Sequence, residues 1–489
     1  MTPRHLIRVD IVTAALLLPA FTLFEGCAVG PNYQRPKVSA PPAFRGAEVA
    51  AQQASLADLP WWDLFKDETL KSLVKTALAN NFDLAIAATR VEQARQVAAQ
   101  ARSQYFPAID YSGRISGGKN QLLSSPSGGN GSLSGLALAI GSASWEIDVW
   151  GRVRRLNEAA RAQYLATEEA RRGVMLTLVG DVSSAYFRLL GLKRQLEIAS
   201  QSTSSFKETE TLFTQRMQGG ISSNLPVARA TANREDTSAD VLEFQRQIAL
   251  TENQISILLG RNPGAIETRA KLLEESLPPE VPAGLPSSLL ERRPDVLAAE
   301  QNIRAANAQI GVATAEFFPK IGLTTFFGKL SAPLEDFTSG QSNVGSLGAT
   351  LAGPVFQGGR LKAQKRQAVA AWEQAKEQYL QTVTNAFQDV SNALISREKY
   401  EGIRSAQARA VESLDQAFRL ANMRYEQGFS SYYEVLEAQQ QLFPAELSLA
   451  QTELNRRLVI VQLYMALGGG WKLSDQQFRA AASSSTPTP

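Results

Sequence analysis

The chain has 489 residues, is 44% hydrophobic, and sets 50 Lys and Arg against 47 Asp and Glu for a formal net charge of +3. Near-balanced charge with no long basic run leaves no electrostatic footprint for a nucleic acid. One cysteine rules out an intrachain disulfide, and with a single histidine and no CxxC…CxxC, HExxH, GxGxxG or GxxxxGK[ST] pattern there is no metal, protease or nucleotide signature for an enzyme.

In chain order, Arg4 and Arg8 precede the apolar run "IVTAALLLPAFTLF", Ile11 to Phe24, which has the length of a signal-peptide core and is too short to span a bilayer. Gly26-Cys27 ends it, a small residue before a cysteine, as at a bacterial lipoprotein processing site. Cleavage before Cys27 would leave a thiol and a new amine to carry acyl chains, each buried methylene contributing about 0.8 kcal/mol of membrane affinity. Glu25 and Phe24 depart from the usual residues, so a plain secretory signal with a chance cysteine is the competing reading. Ala28 after the cysteine, in place of Asp, points to the outer membrane. Without the signal peptide the chain has no histidine and its one thiol is blocked, which removes most nucleophilic and imidazole chemistry. No other stretch reaches 18 apolar residues, so a membrane crossing must use strands.

Two segments repeat. "FDLAIAATRVEQARQVAAQARSQYFPAI" (Phe82 to Ile109) matches "PDVLAAEQNIRAANAQIGVATAEFFPKI" (Pro294 to Ile321) at an offset of 212. Gly151-Arg152, Val182, Arg216, Gly220 and Leu259-Gly260 match Gly359-Arg360, Val390, Arg424, Gly428 and Leu467-Gly468 at an offset of 208. A repeat this long is a duplicated unit, not a solenoid. Each unit opens with a helix (about Asp83 to Tyr105 in the first) and continues with strands. "PAIDYSGRIS" sets Ile109, Tyr111 and Ile115 on one face and Asp110, Ser112 and Arg114 on the other; "SASWEIDVW" alternates likewise. The Gly/Ser-rich "GGKNQLLSSPSGGNGSLSG" joins them. The second unit repeats this with "KIGLTTFFG" and "LGATLAGPVF", the latter weakened by Gly353 and Pro354. Long helices follow, Arg152 to Met217 and Leu361 to Tyr425, each about 100 Å at ~1.5 Å per residue. The turns "MQGGISSNLPV" and "YEQGFSSYYEV" lead to shorter return helices, about Val227 to Leu259 and Tyr433 to Leu467, the second with Pro444 expected to bend it.

Four alternating strands read either as a small sheet on a helical bundle or as membrane strands with lipid on one side and water on the other. Open edges are not viable in lipid, so membrane strands demand an oligomer, a dimer of eight or a trimer of twelve. The long helices, rich in Ala and polar residues, suit a hollow wall wet on one face, or a long coiled coil.

"CAVGPNYQRP" (Cys27 to Pro36), "WWDLF" (Trp61 to Phe65), "LLGRNPG" (Leu258 to Gly264) and "GLPSSLLERRPDVLAAEQNIRAANAQIGVATAEFFPKI" (Gly284 to Ile321) resemble the TolC-like outer-membrane efflux proteins, most closely the lipoprotein branch serving RND-type pumps. The resemblance covers nearly the whole chain. It implies a mainly α, internally duplicated fold. A long α-helical barrel is continued by a transmembrane β-barrel of four strands per protomer, closed by trimerisation. It also implies a homotrimer, a periplasmic adaptor and an inner-membrane RND-type transporter as partners, no cofactor beyond covalent lipid on Cys27, and passive passage of drugs or other small toxic compounds. A protein-secretion duct, or a periplasmic coiled-coil lipoprotein without a pore, are the alternatives.

On this reading residues 1–26 are the signal peptide, and 27–82 a lipid-anchored and equatorial segment. Residues 83–264 are the first efflux repeat (strands about 107–116 and 136–149), and 265–291 a linker. Residues 292–470 are the second repeat (strands about 319–328 and 344–356), and 471–489 a tail. The inter-helix turns correspond to the periplasmic tips of family tunnels. After the second turn Glu434 and Glu437 lie three apart on one helix face and would form stacked carboxylate rings in a trimer. Relatives carry aspartates in the matching motif, and some an Asp just after the turn glycine, where this chain has Ser430. Ser431-x-x-Glu434 also reads as a capping box. Arg216 and Arg424 are the cations placed to pair with these carboxylates.

Overall fold

In the computed structural model, residues 28–46, 60, 67–118, 134–273, 286–331, 337–338 and 340–469 are described. The signal peptide, Cys27, "WWDLF", the middle of each hairpin loop, residues 274–285 and the tail from 470 lie outside them. The elements run α1 (Glu68–Asn80), α2 (Phe82–Ser103), β1 (Ala108–Gly118), β2 (Ser134–Ile147), α3 (Arg152–Gln218), α4 (Asn224–Leu258), α5 (Pro294–Ala315), β3 (Lys320–Ser331), β4 (Asn343–Ala352), α6 (Arg360–Glu426) and α7 (Tyr432–Ala466). Short 3-10 turns occupy Pro286–Glu291 and Gly340–Ser342.

The duplication is visible element by element. α2 and α5 each have 22 residues, α3 and α6 each 67, α4 and α7 each 35. All four of α3, α4, α6 and α7 end on a glycine of positive φ (Gly220, Gly260, Gly428, Gly468). The next residue's N–H then reaches back to the carbonyl five residues earlier: Ile221 to Arg216, Arg261 to Ser256, Phe429 to Arg424, Gly469 to Tyr464. This is the Schellman closure, which needs a left-handed residue and so selects glycine. Pro444 sits inside α7, and the helix runs through it over its full 35 residues.

Contacts divide the chain into two units. The first comprises residues up to 36, 91–167 and 299–379. It holds one antiparallel sheet in the order β1-β2-β3-β4, so β2 of the first repeat pairs with β3 of the second, leaving β1 and β4 as edges. The register is unbroken, with Ile109, Ala143, Thr325 and Leu347 in one cross-strand row. That row's face also carries Tyr111, Trp145, Leu323, Phe327 and Leu351. The opposite face carries Asp110, Ser112, Ser142, Ser144, Thr324 and Ser346. The apolar face is bare: Tyr111 is 94% exposed, Leu347 81% and Ile109 80%. Such a face is a liability in water and the normal condition of a membrane strand. β4 stops at Ala352, short of the expected 356, because Pro354 has no N–H for the ladder. β2 stops at Ile147, short of 149, because the Asp148 side chain leaves the strand line and accepts from Val153 N and Arg154 N, capping α3.

The second unit comprises residues 37–90, 168–298 and from 380 on. Its core is the middle of α3 (Val182, Ala185, Tyr186, Phe187, Leu189) with Leu463 and Leu467 at the end of α7, Ile255 on α4 and Leu70, Val74 and Ala77 on α1. Glycines set the approach of α3 to α7: a methyl group at Gly180 would come within 1.9 Å of Met465 Sδ. By length and composition α3 contains a window apolar enough to cross a bilayer, contrary to the sequence expectation. That window is 61% buried within the protein, which accounts for its apolarity. α1 was not anticipated. Asp67 caps it, accepting from Thr69 N and Leu70 N, and also accepts from the buried Tyr186 hydroxyl.

Candidate functional site

The ends of four helices meet at the two turns. The α3–α4 turn spans Gly219 to Ser223 and the α6–α7 turn Gln427 to Ser431. An aromatic cluster ties them together. Tyr432, the first residue of α7, packs edge-on against Phe213 of α3 (4.4 Å between centroids) and Tyr425 of α6 (5.0 Å). Its hydroxyl lies 2.6 Å from Thr209 Oγ1. The Arg216 guanidinium lies 5.0 Å from the Tyr425 ring centroid and donates to that residue's hydroxyl. Burial pushes the Tyr432 phenol up, partly offset by the Thr209 hydrogen bond, so it stays protonated. A polar seam continues along the same helices: Glu210 pairs with Arg234 at 2.8 Å and accepts from Thr231, Gln440 donates to Asn233, and Gln439 to Ser205.

Glu434 and Glu437 lie on the exposed side of α7's first two turns. Glu437 accepts weakly from Gln441 at 3.5 Å. The expected capping box is not formed. Ser431 is the N-cap, but its side chain makes no cap bond, because the Glu434 N–H that would serve it goes to the Ser431 carbonyl at 3.2 Å. The expected pairing of Arg216 and Arg424 with these carboxylates is not made within the chain. Arg216 is engaged by Tyr425, and Arg424 is exposed in the last turn of α6 and forms no ion pair with either glutamate.

In the first unit, residues 28–36 form a strap held by bonds to residues 29–33 and 35. Val29 N donates to Trp150 O at 3.0 Å, the buried Arg155 donates to Val29 O, Gly30 O and Asn32 Oδ1, and Asn307 donates to Pro31 O at 2.9 Å. Tyr33 donates to Glu300, which also pairs with Arg35 (3.0 Å) and Arg304 (2.7 Å). Burial, with the Glu300 charge, pushes the Tyr33 phenol up to about 12. Gly30, at φ +94°, passes so close to α5 that a Cβ would lie 2.5 Å from Gly311 Cα. Cys27 lies outside the described residues, one position before this strap.

The family model described as outer membrane efflux protein matches residues 73–261 and 285–469. The chain belongs to the outer membrane efflux protein family. It is 34% identical over 487 residues to the probable efflux pump outer membrane protein TtgC of Pseudomonas putida, covering 97% of this chain and 100% of that one. It is 33% identical over 451 residues to the cation efflux system protein CusC of Escherichia coli, covering 91% and 96%. The open-state MtrE outer membrane channel of Neisseria gonorrhoeae superposes with a TM-score of 0.82 at 29% identity, covering 91% of this chain and 99% of that one. This is a family of outer-membrane efflux ducts rather than of enzymes, and it places the chain in the outer membrane.

For an outer membrane efflux protein the aromatic cluster is the feature that residue-by-residue reading missed. Its signal was present in "RYEQGFSSYY", where three tyrosines flank the turn glycine. Which side chain they meet is set by a pairing 209 residues away in sequence, beyond the reach of local periodicity.

Proposed function

We propose that the chain is one third of a trimeric duct that lets drugs or other small toxic compounds leave through the outer membrane as part of a tripartite efflux pump. The observation that carries this is the four-stranded sheet with two unpaired edges and a bare apolar face. Backbone groups on an open edge cost several kcal/mol each in hydrocarbon, so β4 of one protomer must find β1 of the next until the cylinder closes. Closure at twelve strands follows the family fold. The exposed Ile221, Leu225, Phe429 and Tyr433 at the helix turns offer an apolar collar for a periplasmic adaptor, which in turn engages an RND-type inner-membrane transporter.

Passage through the duct is passive, and the aromatic cluster with Glu434 and Glu437 forms the constriction at its periplasmic end. Cys27 carries the lipid anchor, and the strap fixes that anchor to the protein. Relatives named for solvents and for cations share this architecture, which fits cargo choice by the transporter and adaptor. Planar-bilayer recording of the purified full-length protein tests the duct: stepwise currents are expected, and electrically silent membranes refute it. Palmitate labelling that C27S abolishes tests the anchor.

A further inference from the structure

The start of α6 differs in charge from its counterpart, α3, in a way that the duplication makes legible. In the first repeat every cation there is neutralised. Arg152 forms a two-point pair with Glu146 (2.8 and 2.7 Å), Arg154 pairs with Asp148 at 3.2 Å, and Arg155 with Glu158 at 2.8 Å. At the 208-residue offset the three acids Glu146, Asp148 and Glu158 become Pro354, Phe356 and Arg366. Two of the cations persist as Arg360 and Lys362, and Lys365 and Arg366 are added.

All four are exposed. Arg360 bonds only to the neutral Gln357 and Gln364, and none of the four has a carboxylate partner among the described residues. Lys362, Lys365 and Arg366 are spaced three and four apart, hence on one helix face. Just before them, between the end of β4 at Ala352 and Arg360, Val355 is 102% exposed and Phe356 87%. The segment thus presents apolar side chains on the strand side and uncompensated cations on the helix side. That is the order met on leaving a bilayer: hydrocarbon first, then phosphate.

We propose that Arg360, Lys362, Lys365 and Arg366 form a binding site for the headgroups of anionic phospholipids in the periplasmic leaflet of the outer membrane, with Val355 and Phe356 against the acyl chains. One site occurs per chain, on the second repeat alone. It requires only that the sheet sits in the membrane, not that the duct conducts.

The test uses the full-length protein in mild detergent, with native mass spectrometry during titration of phosphatidylglycerol or phosphatidylcholine. Phosphatidylglycerol adducts are expected to persist where phosphatidylcholine adducts are lost. K362Q, K365Q and R366Q are each expected to weaken phosphatidylglycerol binding roughly fivefold, and the triple variant to abolish the preference while keeping the oligomer and its channel currents. Undiminished binding by the triple variant overturns the proposal. So does a triple variant that loses its oligomer but not its lipid, because the cations would then serve a neighbouring subunit's carboxylates. Displacement of the lipid by millimolar inorganic phosphate also overturns it, as a free-anion site.

Discussion

Arg216 of α3 caps the ring of Tyr425 on α6, 5.0 Å from its centroid, and donates to its hydroxyl. This contact fastens the second helical hairpin to the first at their turns. A cation–π contact of this kind contributes about 1 kcal/mol. If the hairpins part when the duct opens, R216Q raises the open population roughly fivefold, Y425F raises it less because its ring still faces the guanidinium, and the double variant does little more than R216Q, since both act on the Arg216–Tyr425 contact. Open probability in single-channel records checks this.

Glu434 and Glu437 are exposed and free of the Arg216 and Arg424 pairing that the sequence suggested. On the proposed reading their charges face the passage. E437Q and E434Q are expected to lower cation preference, read as a shift of reversal potential in a salt gradient, with the double variant shifting furthest. Because no capping box forms, E434A, which removes the group that a capping box would use, leaves thermal stability within about 0.5 kcal/mol of wild type. A larger loss of stability would restore the capping role.

Gly30 combines a positive φ with contact to the α5 backbone. G30V therefore adds backbone strain to overpacking, together about 3 kcal/mol or more. Limited proteolysis is expected to cleave the variant within residues 28–36 and spare the wild type.

Glu453 on α7 is buried and accepts from Arg404 (2.9 Å), Arg456 (2.9 Å) and Arg457 (3.1 Å). Burial alone would raise its pKa, but the three guanidinium contacts together outweigh it and hold the carboxyl below the ordinary value of 4.5. A folded-state pKa below the unfolded one means the contribution is complete above pH 4.5 and fades as pH falls through the depressed value. E453Q is thus expected to lose about 1–3 kcal/mol at neutral pH and to show a shallower loss of stability below pH 4.5, as followed by thermal unfolding across pH.

The duplication was legible because it is written in residue identity: offsets of 212 and 208 became helix pairs of equal length. The strands were legible because period-2 alternation survives in Ile109, Tyr111 and Ile115 against Asp110, Ser112 and Arg114. Strand ends were less so, since Asp148 leaves β2 for a capping role that only the start of α3 defines. α1 carried a readable signal in Leu70, Val74 and Ala77 behind Asp67. At the turns, local rules pointed wrongly. The Ser431 to Glu434 spacing fits a capping box, yet a tighter backbone bond takes the donor. Arg216 had an acid in view along the sequence but a tyrosine in space. The missing acids at Pro354, Phe356 and Arg366 gain meaning only once their counterparts are seen paired.

The central claim is that each chain supplies four strands to a cylinder it cannot close alone. Native mass spectrometry of the preparation that conducts in bilayers tests it most directly. Three chains per particle is the predicted result; a conducting particle of one chain would contradict it.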